Sequence, residues 1–446
     1  MSSQTAPPRD QRPEVLSAQS DASAHAARRA TPVQPVPRPR PGRIGPLRLP
    51  QLVLFEIAAV LVAVGLGAGT KVLVPCGSVA VVLVLLALVR RHGLTPAEMM
   101  RARSGLRGRQ RRSRTEAAGE VDPAIAPVLE CEPALRTVQH TVQAEGSATT
   151  GRRERREIGM IGDGTFLTAV IQVEAMDDPL RPVHGDHAGL PLALLADALQ
   201  VDDVTVDSVQ VVQYSQPAPA PHLPEQALAA RGYRELPNGA TTPGLRMTWV
   251  AVRLDPELCR TAVAARGGGE AGARKALQRA TDQLASRLVG AGLRATVLDA
   301  AGVTGAVSTA TCASPLRTNA SATGGRRTSE TARAWRCDDR WHTTYWIGQW
   351  PRLAAPGAGP GSADLVNLLT GMPALGTSFG LTVRQASGGA VALSGHVRVT
   401  ARGEGDLDQV TRQLETRARS AGVGLVRLDH EQVPGVLATL PLGGTR

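Results

Sequence analysis

The chain has 446 residues, enough for two or three domains of ordinary size, and 42% of them are hydrophobic although only 2% are aromatic. The net charge is +11, but residues 1–120 carry all of the excess, with 18 Arg and Lys against 7 Asp and Glu. Residues 121–446 are balanced at 32 against 32, which argues against a nucleic-acid-binding protein. The cysteines form no CxxC pair, which argues against a disulfide framework or a zinc site and favours a reducing compartment; they are Cys76, Cys131, Cys259, Cys312 and Cys337.

The N-terminal region combines a polar tail with two apolar segments. Residues 1–50 are rich in Pro, Ala and Arg without apolar periodicity, so we expect a disordered tail. Two apolar runs of 18 residues follow at 51–68 and 72–89. Each would rise about 27 Å as a helix, against a hydrocarbon core of about 30 Å. We interpret residues 51–89 as a two-helix transmembrane hairpin; the alternative is a pair of buried core helices.

Arginines flank both ends of this segment, which predicts a multi-pass protein of the cell membrane with both termini in the cytoplasm. Residues 90–157 are predicted to form a basic juxtamembrane stretch and a linker. The arginines of residues 90–120 suggest an electrostatic contact with acidic membrane lipids.

The remaining chain contains an internal repeat. Residues 281–310 and 411–440 align without a gap at an offset of 130, with 11 identical pairs in 30. Both halves read as strand, helix, strand, strand, helix, strand, which is the split βαβ or ferredoxin-like order. The predicted fold class is therefore α+β: the transmembrane hairpin followed by two tandem βαββαβ units in the cytoplasm, at 158–312 and 335–442.

Motifs for chemistry are weak. The glycines 267–269 precede a predicted helix, but Ala273 follows Gly272, so the phosphate-binding pattern GxxxxGK[ST] fails. The loop residues His184, Asp186 and His187 lack a third cluster of metal ligands. Cys337 with His342 could pair as nucleophile and base, and Asp338 with Asp339 could act as paired carboxylates. We predict no catalytic residue, no metal and no cofactor.

Two segments remain as candidate partner-binding surfaces. The aromatic side chains that could form one of them are Trp335, Trp341, Tyr345, Trp346 and Trp350. Because residues 342–350 alternate like a half-buried strand, the same residues could instead form a core, and a catalytic role is the third alternative. The second segment, 217–227, is rich in proline and includes Pro217, Pro219 and Pro221; it suits an extended segment that docks to a partner.

Several stretches, taken in this order after a double apolar segment, resemble the EccE family of type VII (ESX-type) secretion membrane proteins, in its actinobacterial, Streptomyces-like form. They are RPGRIGPLRLPQLVLFE (40–56), IGMIGDGTFLTAV (158–170), QPAPAPHLPEQA (216–227), RCDDRWHTTYW (336–346) and DHEQVPGVLATLPLGG (429–444). The resemblance implies a subunit of a secretion machine beside EccB, EccC and EccD, in which EccC is the ATPase. It implies no catalytic residue.

The leading hypothesis is therefore a structural subunit of a protein export machine. The alternative is a membrane-anchored enzyme, such as a sugar transferase at the inner leaflet, for which Asp338 and Asp339 are the only weak candidates.

Overall fold

The structure is a computed structural model. It describes residues 36–37, 43–44, 47–88, 96–115, 122–143, 155–175, 190–219, 226–228, 231–232, 243–319, 325–351, 362–386 and 389–444. The helices are α1 (Leu49–Ala68), α2 (Thr70–Leu88), α3 (Pro96–Thr115), α4 (Ala126–Leu129), α5 (Leu192–Asp197), α6 (Arg260–Ala265), α7 (Gly269–Gly290), α8 (Ala300–Thr311), α9 (Pro315–Asn319), α10 (Ser362–Thr370), α11 (Glu404–Ser420) and α12 (Gln432–Leu437). The strands are β1 (Val36–Pro37), β2 (Arg43–Ile44), β3 (Leu47–Arg48), β4 (Arg136–Gln143), β5 (Arg155–Gly162), β6 (Leu167–Ala175), β7 (Gln200–Val201), β8 (Val204–Thr205), β9 (Ser208–Pro217), β10 (Pro243–Leu254), β11 (Leu293–Val297), β12 (Thr328–Glu330), β13 (Trp335–Cys337), β14 (Arg340–Gln349), β15 (Gly376–Gln385), β16 (Val391–Ala401) and β17 (Gly424–Arg427).

The central strands are apolar on both faces because helices or chain segments cover both faces of the sheet. In β10, Val250 and Val252 face a core formed with α5, α7, α10 and α11. The alternate residues Trp249 and Ala251 face a second core, formed with α4, α8, α12 and the C-terminal segment. Successive side chains of a strand point to opposite faces, so a strand buried on both sides reads as a nearly continuous apolar run. The result is three layers, with the sheet in the middle.

Among the described residues, one sheet of 13 strands extends through both halves of the chain, in the order β12-β13-β14-β16-β15-β9-β10-β6-β5-β4, with β1, β11 and β17 pairing beside this path. The first half contributes β11-β6-β10-β9 and the second half contributes β17-β14-β16-β15, all antiparallel neighbours. Each half therefore repeats the order fourth, first, third, second. The halves join where β9 pairs with β15, from Ser215 opposite Thr377 to Val209 opposite Val383.

The residues aligned by the internal repeat lie on equivalent elements. Each long helix, α7 or α11, follows the third strand of its half and precedes the fourth. Leu284 and Leu414, which the repeat aligns, are both fully buried in the same core. Each helix is followed by a glycine with positive φ, Gly292 at 82° and Gly422 at 71°. Glycine adopts this left-handed conformation without a steric penalty from a β-carbon, so both helices stop at the same point of the repeat.

The fold class predicted from the sequence is wrong, first in its transmembrane hairpin. α1 and α2 form at the predicted place and pack against each other. Yet none of the helices within the described residues has the combination of length and apolar character that crossing a membrane requires. The predicted length was already at the lower limit for a membrane span, because an 18-residue helix rises about 27 Å and the hydrocarbon core is about 30 Å thick. The predicted topology, with both termini in the cytoplasm, rested on that hairpin.

The prediction is also wrong in separating two tandem units, because the halves share one sheet. Each half alone would leave its second strand, β9 or β15, as an open edge with unpaired N–H and C=O groups. Pairing of β9 with β15 satisfies both edges at once. Strand order is set by contacts between residues far apart in the chain, which local sequence patterns do not encode.

Candidate functional site: the aromatic and proline-rich surfaces

The aromatic segment predicted as one surface divides between core and surface. Trp335 and Tyr345 are both 1% exposed and therefore unavailable to a partner. The Trp335 ring lies 4.8 Å from the His342 ring, and the Tyr345 hydroxyl donates a hydrogen bond to Glu415 Oε1 of α11 at 2.8 Å. Trp341, Trp346 and Trp350 are half-buried, so three of the five predicted residues retain accessible surface.

Strand register brings Trp341 close to the proline-rich segment. Trp341 lies opposite Ala401 in β16. The pairs beside it continue through β15 to Ser215 in β9, two residues before Pro217. Four adjacent strands at about 4.8 Å spacing put Trp341 and Pro217 about 14 Å apart along this end of the sheet. Pro219, also half-buried, follows at once, whereas Pro221 lies outside the described residues. We call Trp341, Pro217 and Pro219 the Trp341 end.

The other tryptophans of β14 lie away from this end. Trp350 follows nine positions after Trp341, and at about 3.3 Å per residue this separates them by about 30 Å. Trp350 packs over Gly395 of β16, where even a β-carbon would meet its ring at 2.5 Å. The predicted aromatic surface is therefore two separate places on the sheet rather than one.

A largely buried cluster of polar residues, which we call the polar junction, lies beside the Trp341 end. It consists of Tyr214, Cys312, Arg340 and Arg398. The Tyr214 hydroxyl and the Cys312 thiol lie 3.1 Å apart, and Arg340 Nη1 donates to the Cys312 carbonyl at 2.9 Å. Cys312 ends α8 in the left-handed conformation, with φ 56°. Two causes raise the pKa of Tyr214 well above its usual value: burial is the larger and the neighbouring Cys312 is the smaller. The hydroxyl therefore stays protonated.

Arg398 is a fully buried cation at the C-terminal end of α8. It donates hydrogen bonds to the carbonyls of Ala310 and Thr311 and to Ser378 Oγ, the last at 3.0 Å. The C-terminal end of a helix carries partial negative charge, which favours a cation there. Burial lowers the pKa of Arg398 to about 10, so it remains charged at neutral pH. Sequence reasoning missed this residue, although an arginine at an inward position of the apolar strand HVRVT was the signal that could have found it.

The predicted acidic pair does not act as a pair. Asp338 accepts hydrogen bonds from Arg327 at 2.8 and 2.9 Å and from the Ser314 N–H at 3.0 Å. Burial acts to raise the pKa of Asp338, but the hydrogen bonds from Arg327 and Ser314 outweigh it, and the pKa lies below its usual value. The Asp339 side chain is 68% exposed. Asp338 is therefore the buried half of an ion pair, while Asp339 faces solvent.

Cys337 and His342 are not arranged as nucleophile and base. The register places Cys337 opposite Arg340 and His342 opposite Trp335, so the two are not cross-strand neighbours. The pKa of the Cys337 thiol lies well above its usual value, mainly because the thiol is buried and secondly because Asp338 is its neighbour. Burial, together with Arg398 and Arg340, lowers the pKa of His342, which is therefore neutral near pH 7. A protonated thiol is a poor nucleophile.

The remaining sequence candidates carry no chemistry that we can assign. His184, Asp186 and His187 lie outside the described residues, and the described ranges contain no group of three His, Cys, Asp or Glu side chains placed to hold a metal ion. The glycines 267–269 all have positive φ, and Gly268 and Gly269 border a cavity of about 710 Å³ beside the start of α7. Both signs of charge line this cavity, including Arg136 and Arg260 with Asp163, Glu257 and Glu270.

Asp338 and Asp339 give a direct comparison. We expect Asp338→Asn to lower the free energy of unfolding by about 3 kcal/mol at pH 7, because it breaks a buried ion pair. Asp339→Asn, the matched control, should change it by less than about 0.5 kcal/mol. Since folding lowers the Asp338 pKa, its contribution is present above the unfolded pKa of about 3.9 and is lost as pH falls through the folded value. Urea unfolding of both variants and the parent at pH 7 and about pH 3 tests this; an Asp338 deficit unchanged in acid would contradict it.

A comparison with known protein families gives a match. The family model described as "Putative type VII ESX secretion system translocon, EccE" matches residues 242–347, about a quarter of the chain. A comparison with curated proteins gave no match. The matched residues run from β10 through α7, β11 and α8 into β14, and they include Trp341, Arg340 and the acidic pair. The resemblance to EccE, a component of type VII secretion translocons, is thereby confirmed over residues 242–347.

Proposed function

We propose that this chain is a structural, non-catalytic component of a type VII protein secretion machine, which it stabilises through contacts with EccB, EccC and EccD. The observation that carries the proposal is the match of residues 242–347 to the EccE family model. The polar groups in the matched segment support a structural role, because Asp338, Cys337 and His342 are buried in ion-pair or core contacts. Acidic membrane lipids are the second class of proposed partner, at the cell membrane.

The Trp341 end is our candidate for the contact with another subunit. Trp341, Pro217 and Pro219 are half-exposed and lie at one end of the sheet. Tryptophan is enriched among the residues that dominate binding energy at protein interfaces. Proline-rich segments are extended before binding, so they dock with a small loss of conformational entropy. A partner helix or strand crossing this end would contact both.

The test is isolation of tagged full-length protein in mild detergent, followed by mass spectrometry. We expect EccB, EccC and EccD to co-purify with the parent. Trp341→Ala should weaken capture of at least one by about 30-fold, which is the effect of losing an interface residue worth about 2 kcal/mol. Trp350→Ala, which removes the same side chain at the distant end of β14, is the matched control, and thermal unfolding of both variants checks that they fold. Absence of all three proteins from the parent's isolate would refute the proposed function.

A further inference from the structure

Helix α3 is fixed to the sheet by one face. Ala102 and Leu106 are each 7% exposed. Arg109 donates to both carboxylate oxygens of Glu330 in β12, at 2.7 and 2.9 Å, and to the His430 carbonyl at 2.7 Å. A bidentate arginine–carboxylate pair is geometrically specific, and the Glu330 side chain is only 5% exposed. The helix therefore holds a defined orientation against the edge strand β12.

The outer face of the same helix is basic. Arg101, Arg103 and Arg107 are exposed, and Arg103 and Arg107 are one helical turn apart, so their side chains are neighbours about 6 Å apart. Glu98, in the first turn, is the only acidic residue in Pro96–Thr115. The ion pair between Arg109 and Glu330 orients the helix, and in this orientation the other three guanidinium groups lie on its solvent side.

We propose that Arg101, Arg103 and Arg107 form a binding surface for the phosphate headgroups of acidic phospholipids. This inference rests on the proposed function, in which acidic lipids are partners, and it names the residues that contact them. A guanidinium group is always charged and forms paired hydrogen bonds with phosphate, and acidic membrane surfaces attract basic segments by about 1 kcal/mol per arginine. A rigidly oriented helix that carries Arg103 and Arg107 side by side can engage headgroups with both, without the cost of ordering a flexible segment, and Arg101 adds a third exposed charge on its flank.

Nucleic acid shares the phosphate chemistry but fits less well. Sequence-tolerant recognition of single strands uses aromatic side chains on which bases stack, and residues 96–115 contain none. Residues 121–446 carry balanced charge, so their net charge adds no attraction for a polyanion. The preceding helices α1 and α2 also expose aliphatic side chains, including Leu66 at 68% and Val74 at 72%. A lipid surface combines an anionic layer with an apolar one and can satisfy both kinds of surface.

The experiment is co-flotation of the purified full chain with vesicles of phosphatidylcholine alone or with about one-third phosphatidylglycerol. The measured quantity is the ratio of affinities for acidic and neutral vesicles, which removes any contribution common to both. We expect a preference for acidic vesicles that falls as NaCl rises from about 0.05 to about 0.5 M. The triple variant R101Q/R103Q/R107Q should reduce this preference on the order of 100-fold, the factor for about 1 kcal/mol per arginine.

The matched control is R402Q/R412Q/R419Q, which removes the same charge from exposed positions just before and within α11. It should keep most of the preference, and both variants should unfold at the parent's temperature. The proposal is overturned if the α3 variant keeps the preference, if the control loses it equally, or if single-stranded RNA binds the parent more tightly than acidic vesicles do. Subunit capture in detergent is measured separately, so loss of one result with retention of the other tells which proposal fails.

Discussion

Deleting residues 438–446 should lower the free energy of unfolding by at least about 5 kcal/mol, which is comparable with the whole stability of many domains. Leu440 and Leu442 are 0% and 5% exposed, and burial of each contributes about 1.5–3 kcal/mol. The deletion also removes hydrogen-bond partners from buried side chains. Gln210 exchanges two bonds of 2.8 Å with Ala438 and Gly443, and Arg253 donates to the Gly444 carbonyl at 2.8 Å. Each unsatisfied buried group costs a further 1–3 kcal/mol, roughly.

Urea unfolding and limited proteolysis would measure this effect. The matched control is deletion of residues 445–446 alone, which keeps every contact named above and should leave the unfolding midpoint unchanged. A point variant gives a finer test: at Gly443, φ is 85° and an added β-carbon would lie 2.4 Å from the Arg253 side chain. Gly443→Ala should therefore destabilise the chain in the same direction. A full deletion as stable as its control would show that the C-terminal segment contributes little to the core.

Replacing Arg398 by alanine should lower the free energy of unfolding by about 3–5 kcal/mol, although the change removes a buried charge that has no carboxylate partner among its hydrogen bonds. The alanine side chain leaves a cavity in a fully buried position. It also leaves the last carbonyls of α8 and the Ser378 hydroxyl without their donor. The packing and hydrogen bonds that are lost lower the free energy of unfolding by more than the removal of a buried charge raises it.

Two further variants separate these causes. Arg402→Ala, at an exposed position four residues later, is the control for loss of a positive charge and should change stability by less than about 0.5 kcal/mol. Arg398→Met fills most of the volume without donating hydrogen bonds, so its stability should lie between the parent and Arg398→Ala. Chemical denaturation gives all three values. If Arg398→Ala unfolded at the parent's midpoint, the polar junction would not be a structural element.

Local patterns in the sequence predicted the elements better than their assembly. The repeat at an offset of 130 aligned Leu284 with Leu414, and both are fully buried on the two long helices. In contrast, the β9–β15 pairing, the C-terminal segment on β9 and the Arg398 contacts join residues far apart in the chain. No local pattern of polarity encodes these partners, so they became visible only in the structure.

The candidate site shows the same division. The tryptophans were found because they are rare in this chain, but burial of Trp335 and exposure of Trp341 depend on which face of the sheet each meets. The strand β4 and the helix α3 lie in a stretch where apolar periodicity is weak. α3 holds its position through Arg109 and Glu330, which are 221 residues apart. An ion pair between residues so far apart cannot be recognised from the sequence.

The C-terminal segment also determines the order in which the chain can mature. Its contacts with strands of the first half join residues 191 to 274 positions apart, among them Arg253 with Gly444 and Thr168 with Leu442. During synthesis the ribosome releases those strands long before residues 438–444 emerge. The face that receives Leu440 and Leu442 therefore stays open to water and to other nascent chains until residues 438–444 have emerged. Since long-range closure is slow and exposed apolar surface aggregates, this interval is when the protein most needs a chaperone.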